Sequence, residues 1–537
     1  MAISIRKFGG IAPKIPARYL ADEQAQIAKN CPTWKGPLAP LRDTSFATAL
    51  SKTGTLLSAY RFGQDVDSEV NYWFHWATDV DVVRGYINGD TSERTYYTGD
   101  GVPKVTDNSL ALGAGTGYPL NSYQLGVPAP DTAASCVVGG TPEADPATET
   151  RVYTYTFVNS WDEESAPYSA DPMPASTTVD VDTGETVTVT TATSVTGPYN
   201  VTAKRIYRST GGTFLFVAEI PLAQADFVDT LTADDLAEEL PSLTWTQPPD
   251  DLAGLTGMPG GFLAGFSGID VYFSEPYRLF AWPLQYSQSV GYPIVGLGSI
   301  DTTLVVLTTQ KPFFIQGSSP DAMSMVEADV AQACVSKRSI VSMKGVVFYA
   351  SPDGLVAIAP GGSRIVTESR FDRDQWQQLV PSSIHAYSYD NLYVAFYDTG
   401  STQGGFIYDT LSGEITMHDI YATGGYTDLK NDSLFLIQND DLYKWDTGAA
   451  KTYEWKSKKF TLPDPISYSC YRVNAEAYPI QFTLYRDGVQ IITQSVTDKN
   501  IRRLPPGLGH DWEIELSGTG QVYAVQVGQS PKEIADG

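Results

Sequence analysis

Apolar residues along this chain gather in short runs set off by Gly, Pro, Asn and Asp, the pattern of strands rather than helices. Five such runs are GFLAGF (261–266), TLVVLT (303–308), GVVFYA (345–350), LYVAFY (392–397) and SLFLIQ (433–438). Their central residues Leu263, Val305, Val347, Val394 and Phe435 are separated by 42, 42, 47 and 41 positions. Second strands follow in FSGIDVYFSE (266–275), TTQKPFFIQG (308–317), SPDGLVAIAP (351–360) and NDDLYKWDTG (439–448). A two-hairpin unit recurring at this interval predicts a β-propeller with four strands per blade. One blade cannot bury both of its faces, whereas a ring of blades stacks them and leaves only short edges.

An earlier stretch reads as a blade set apart from these: NYWFHWATD (71–79), VVRGYING (82–89) with its Asn-Gly turn, and RTYYTGDG (94–101). With it counted, six blades are expected. Residues 131–150 are rich in Pro, Ala, Thr and Glu and read as a linker. The alternating strands of RVYTYTFVNSWDEESAP (151–167), TVTVTTAT (186–193), AKRIYRST (203–210) and FLFVAEIP (214–221) then predict an inserted immunoglobulin- or fibronectin-like β-sandwich. Helical patterning is confined to ADEQAQIAK (21–29), ADDLAEEL (233–240) and DRDQWQQL (372–379), the last with Asp374 as N-cap. The expected organisation is an extended N-terminal docking arm (1–45), a first blade and connection (46–130), the inserted sandwich (131–250), the remaining blades (251–450) and a small C-terminal β-sandwich or sheet (451–537).

Composition sharpens this all-β reading. The 537 residues include 47 Gly, 34 Pro, 32 Tyr, 21 Phe and 10 Trp, a supply of turns and of side chains suited to half-buried sheets. With 62 acidic against 36 basic residues the formal charge is −26, a surface that repels phosphates and argues against a basic DNA-reading groove. Cys31, Cys136, Cys334 and Cys470 are isolated, without a C-x-x-C pair, so a zinc knuckle or a dense disulfide framework is not expected. The opening MAISIRKFGGIAPKIP lacks an apolar signal core, and no run is long enough to span a membrane. Synthesis in a cytoplasm follows as an expectation.

Chemistry leaves few marks. His75, His385, His418 and His510 have no second ligand at zinc spacing, and a packed strand histidine is the simpler role for His75. No P-loop, G-x-S-x-G or G-x-G-x-x-G occurs. Propellers host glycosidases, which makes Asp65/Asp67, Asp79/Asp81 and Asp353 candidate catalytic carboxylates, but turn acids bonded to local backbone explain them. Asp180/Asp182 could attract calcium, without a complete loop around them. SPDG (351–354) resembles part of an aspartate box and KWDTG (444–448) holds one Trp-Asp pair, each a single copy. Exposed Tyr and Trp are candidates for a glycan platform, with packing between blades as the plainer use. No catalytic, cofactor-binding or metal-binding residue is assigned, and no enzyme activity is expected.

Longer stretches carry a resemblance. AGFSGIDVYFSEPYRLFAWP (264–283), IVGLGSIDTTLVVLTTQKPFFIQGSSPDAMSM (294–325) and ACVSKRSIVSMKGVVFYASPDGLVAI (333–358), with the opening FGGIAPKIPARYLADEQAQIAKNC and YEWKSKKF (453–460), resemble the tail nozzle, or tail tubular, proteins of short-tailed bacteriophages. The resemblance implies a propeller-bearing virion protein in a homohexameric ring below portal and adaptor. Such a ring continues the DNA channel, retains the genome end, and anchors fibres or a needle or tip protein. Double-stranded DNA would pass without sequence-specific contacts, and the location would be the virion tail. Arg6, Lys7, Lys14 and Arg18 could pair with an acidic adaptor. The competing readings are a receptor- or glycan-binding tail adhesion protein and a propeller glycosidase.

Overall fold

The computed structural model describes residues 2–65, 67–87, 89–169, 172–209 and 211–535; Asn88 of the expected Asn-Gly turn and Thr210 of the strand 203–210 lie outside them. The chain is all-β, with 45% of residues in strands and 7% in helices, spread over many small sheets. It divides into two compact units, one formed by 1–79, 298–314 and 326–537, the other by 80–297 and 315–325.

In the unit 80–297 and 315–325 two antiparallel meanders flank a two-sheet module. The first meander runs through Asp81–Arg84, Thr95–Thr98, Lys104–Thr106 and Tyr123–Gln124, the second through Ala253–Met258, Phe262–Ser267, Asp270–Phe273 and Gln288–Ser289. They share a core containing Tyr96, Leu255, Leu263 and Trp282. The module pairs Ser135–Gly140, Glu185–Thr190 and Asp226–Asp229 in one sheet. Its other sheet contains Thr178–Asp182, Thr148–Asn159, Val201–Ser209 and Leu215–Pro221. Tyr153, Tyr155, Val187, Val189 and Ile206 fill the single core of these seven strands. Arg94 of the first meander donates to Glu163 of the module at 2.7 Å and lies 4.9 Å over the Trp161 ring.

A third meander, Ile294–Ile300, Thr303–Thr308, Phe313–Gln316 and Ser324–Glu327, is where the chain passes from one unit to the other. The fourth contains Val341–Met343, Val346–Ala350, Leu355–Ala359 and Gly362–Ile365; the fifth contains His385–Tyr389, Leu392–Asp398, Gln403–Asp409 and Ile415–His418. The sixth has three strands late in the chain, Gly424–Asp428, Ser433–Gln438 and Asp441–Lys444. Its fourth strand, Ser45–Ala49, comes from near the N-terminus and pairs with Asp441–Lys444.

Residues 1–45, whose extended composition suits either a docking arm or an arm folded back along its own domain, lie along this chain's own sheets. Ala25–Lys29 pairs antiparallel with Tyr453–Ser457 and meets Ile415–His418 in parallel at Lys29 and Met417, joining the fifth meander to the C-terminal strands. Ile3–Ile5 pairs with Val522–Gly528. The helix expected over 21–29 is therefore a strand from Ala25 onward: pairing on both sides, with Ala25 and Ala28 buried, overrides the helix propensity of Ala, Gln and Lys. At 233–240 only the 3-10 turn Ala233–Asp235 forms, because Phe216 donates its N–H to the Glu238 carbonyl and holds the rest extended. The helix in 372–379 is Arg373–Gln377, with Asp372 rather than Asp374 as its N-cap; the Asp372 carboxylate accepts from the Gln375 N–H at 2.8 Å.

The early blade also needs correction. Trp73–Trp76 pairs with Ser58–Arg61 in a separate two-stranded sheet and belongs to the other unit from the first meander. All four of its residues are buried, with Trp73 against Tyr426 and Phe435, so aromatic cover adds to strand pairing in placing it.

Candidate docking groove

A concavity of about 490 Å³ lies between the fourth and fifth meanders. Its floor is core turned outward: Phe348 and Tyr408 are almost fully buried with ring centroids 6.1 Å apart, and Met343, Val346 and Val366 pack on the same core. The tight turn at Lys344–Gly345, both with positive φ, projects the Lys344 side chain at one rim. Arg364 stands on the edge strand Gly362–Ile365. On the opposite lip Asp409 accepts from the Leu411 N–H at 3.0 Å and the Ser412 N–H at 3.2 Å, and this turn leaves Leu411 74% exposed.

The electrostatics of the groove run against those of the chain. No carboxylate lines it. Of the nearby acids, Asp409 is committed to its turn and Glu414 to Arg370 and the Gly10 N–H, while Asp390 and Asp432 line an adjoining hollow beside Lys344. Lys344 and Arg364 are both exposed, and neither side chain has an ion pair or hydrogen bond among the described residues. Burial pushes the Tyr408 hydroxyl above its ordinary range, and the charge of Arg364 opposes that shift. Two unpaired cations beside exposed apolar surface suit a negatively charged, apolar partner. Neither residue stood out in the sequence, where Lys344 reads as an ordinary turn residue and Arg364 as one polar position in GGSRIV.

The candidate residues of the sequence are scattered and mostly structural. Asp67 pairs with Lys430 at 2.8 Å, while Asp65 accepts from Asn71. Asp79 pairs with Lys337 at 3.0 Å, and Asp81 accepts from the Gly254 N–H. Asp353 takes Arg373 and Gln332. Asp180 and Asp182 each accept from a threonine across the strand, Thr150 and Thr148. Within SPDG the Ser351 carbonyl receives the Trp376 indole N–H, and Trp445 of KWDTG is buried 5.4 Å from the His418 ring.

Burial holds His385 down at about 3 and His418 at about 4, so both are neutral packing groups; burial also lowers His75. His510 lies on the C-terminal strand Gly509–Gly518. All four cysteines are free thiols. Of the N-terminal cations, Lys7 pairs with Glu23 at 2.9 Å and Lys14 donates to the Glu368 carbonyl, while Arg6 and Arg18 are exposed. Among the described residues no three His, Cys, Asp or Glu side chains converge as metal ligands, and no helix is long and apolar enough to cross a membrane.

No protein-family model matches this chain, and no curated protein does. Among solved structures it is similar to the N-terminal domain of Nup159, with 11% identity over 58% of this chain and 87% of that one and a TM-score of 0.24. It is similar also to the extracellular domain of BT4673 from B. thetaiotaomicron, with 8% identity, coverage of 95% and 82%, and a TM-score of 0.27. A further one is PorZ, a bacterial surface component of the type-IX secretion system of Porphyromonas gingivalis, with 9% identity, coverage of 86% and 77%, and a TM-score of 0.25. At such TM-scores these likenesses carry no argument.

Proposed function

We propose that this chain is a non-catalytic structural subunit of a short-tailed phage tail, the nozzle that continues the DNA channel below portal and adaptor. In this reading the six four-stranded meanders are blades of one propeller, and the seven-stranded module is its immunoglobulin-like insertion. The observation that carries the proposal is the late three-strand meander completed by Ser45–Ala49 from the other end of the chain. A propeller needs such a closure to remove its last free edge. The resemblance to nozzle proteins supplies the role: a homohexameric ring in the virion tail that retains the genome end and anchors fibres or a tip protein. Its stretches 264–283, 294–325 and 333–358 fall on the second, third and fourth meanders.

The test is native mass spectrometry and negative-stain averaging of the chain, alone and with a portal–adaptor complex. A sixfold ring capping that complex is expected. A chain that ignores the complex overturns the nozzle.

An adhesion role is favoured by one feature of the module. Val137, 63% exposed, and Val228, 51% exposed, flank Thr188 in a cross-strand row on the three-stranded sheet, an apolar strip open to a receptor. Binding of the intact chain to host cells, lost in Val228→Asp, supports that reading.

A further inference from the structure

We propose that the groove between the fourth and fifth meanders receives a second copy of this chain, which inserts its strand Ser324–Glu327. Two independent features fit each other. The strand is the outer edge of the third meander, and all four of its residues are exposed. Met325 is 38% and Val326 59% exposed, and Asp329 follows in the open. An apolar strand with a free edge is what soluble proteins ordinarily cover or charge.

The groove offers the complement. Gly362–Ile365 is hydrogen-bonded within its sheet only to Leu355–Ala359, so its outer edge can accept another strand. Beside it lie an apolar floor for Met325 and, toward the same face of the inserted strand, Arg364 and Lys344 for Glu327 and Asp329. Glu327 already pairs with Lys311, but both side chains are 45% exposed, and such a pair exchanges partners at little cost. Strand and groove are different patches of one surface, so the contact is heterologous and propagates from copy to copy, closing a ring where the rotation permits. This goes beyond the tail reading and does not lean on it.

Two full-length variants, Val326→Cys and Ser363→Cys, are mixed and mildly oxidised. The expected product is a disulfide-linked heterodimer, reduced at least tenfold when the Ser363→Cys copy also carries Arg364→Glu and Lys344→Glu. A labelled peptide of residues 319–331, titrated with the wild-type chain, is expected to bind saturably and to lose at least tenfold affinity to the same double charge reversal. Both cations are exposed and unpaired, so the reversal leaves the fold intact by circular dichroism. Heterodimer no more abundant than from a Leu429→Cys and Ser363→Cys mixture overturns the proposal, as does cross-linking indifferent to the reversal. Failure to ring the portal complex bears on the nozzle alone, since the cross-link needs no portal.

Discussion

At the scale of single residues, buried charge in this protein holds structure together. Arg208 and Asp229 are fully buried in the two-sheet module and meet at 2.6 Å. The Tyr153 hydroxyl donates to the same carboxylate at 2.7 Å, and Arg208 also donates to the Leu231 and Thr232 carbonyls. Removing one partner strands the other charge in the core, so Asp229→Asn should lower stability by about 3–5 kcal/mol. The double variant Arg208→Met with Asp229→Leu should regain part of that loss. Urea unfolding followed by circular dichroism measures both, and an undiminished midpoint in Asp229→Asn would contradict the network's role. Two buried histidines give a pH dependence of definite sign. His385, stacked on Phe396 at 5.3 Å, and His418 have folded values of about 3 and about 4, against roughly 6.5 in an unfolded chain. The unfolded state thus binds more protons below pH 6.5. Their contribution is complete above that pH and is lost as the pH falls toward 4, by about 1.4 kcal/mol per pH unit for each ring. Melting temperature should fall more steeply between pH 6.5 and 4.5 in the wild type than in His418→Phe; parallel profiles would remove His418 from the account.

At the scale of elements, strands were legible where their partners are close in sequence and obscure where they are far. The runs near Leu263, Val305, Val347, Val394 and Phe435 pair with neighbours one turn away, so apolar runs and turn residues suffice to find them. Ala25–Lys29 pairs with strands about 400 positions away. Its sequence AQIAK has the local preferences of a helix, and only the distant edges decide otherwise. Trp73–Trp76 is a different case: its strand partner Ser58–Arg61 is close in sequence, but the aromatic partners Tyr426 and Phe435 that cover it lie far along the chain. An integral strand differs measurably from a docked arm. Phe8 packs edge-on against Trp455 at 5.0 Å, and the Trp455 indole donates to the Gly9 carbonyl at 3.0 Å, fastening this segment to the core. Amides of Ala25–Lys29 should therefore exchange hydrogen as slowly as those of Tyr453–Ser457 in the isolated chain. Rapid exchange confined to 25–29 would restore the free arm.

At the scale of the whole molecule, composition and period carried most of what could be known early, and the groove lay beyond them. Whether a cation is free depends on where every neighbouring carboxylate turns, and for Arg364 that is settled by the Asp409 turn and by Glu414 meeting Arg370. Net charge is a property the sequence does determine, and it bears on any encounter with DNA. Of the 36 basic residues many are already paired, among them Lys7, Lys29, Arg94, Lys337, Arg370 and Lys430. The excess of acids repels a duplex and offsets the cations that remain unpaired. The isolated chain should therefore show no appreciable binding to a labelled duplex of about 30 base pairs at any salt between roughly 50 and 200 mM, where phosphate-tracking proteins change affinity by orders of magnitude. Fluorescence anisotropy at both ends of that range measures it. If the proposed nozzle wall shares this charge, DNA would slide along it without adhering. Tight, steeply salt-dependent binding would instead reveal a basic track and require that the genome end be gripped rather than merely passed.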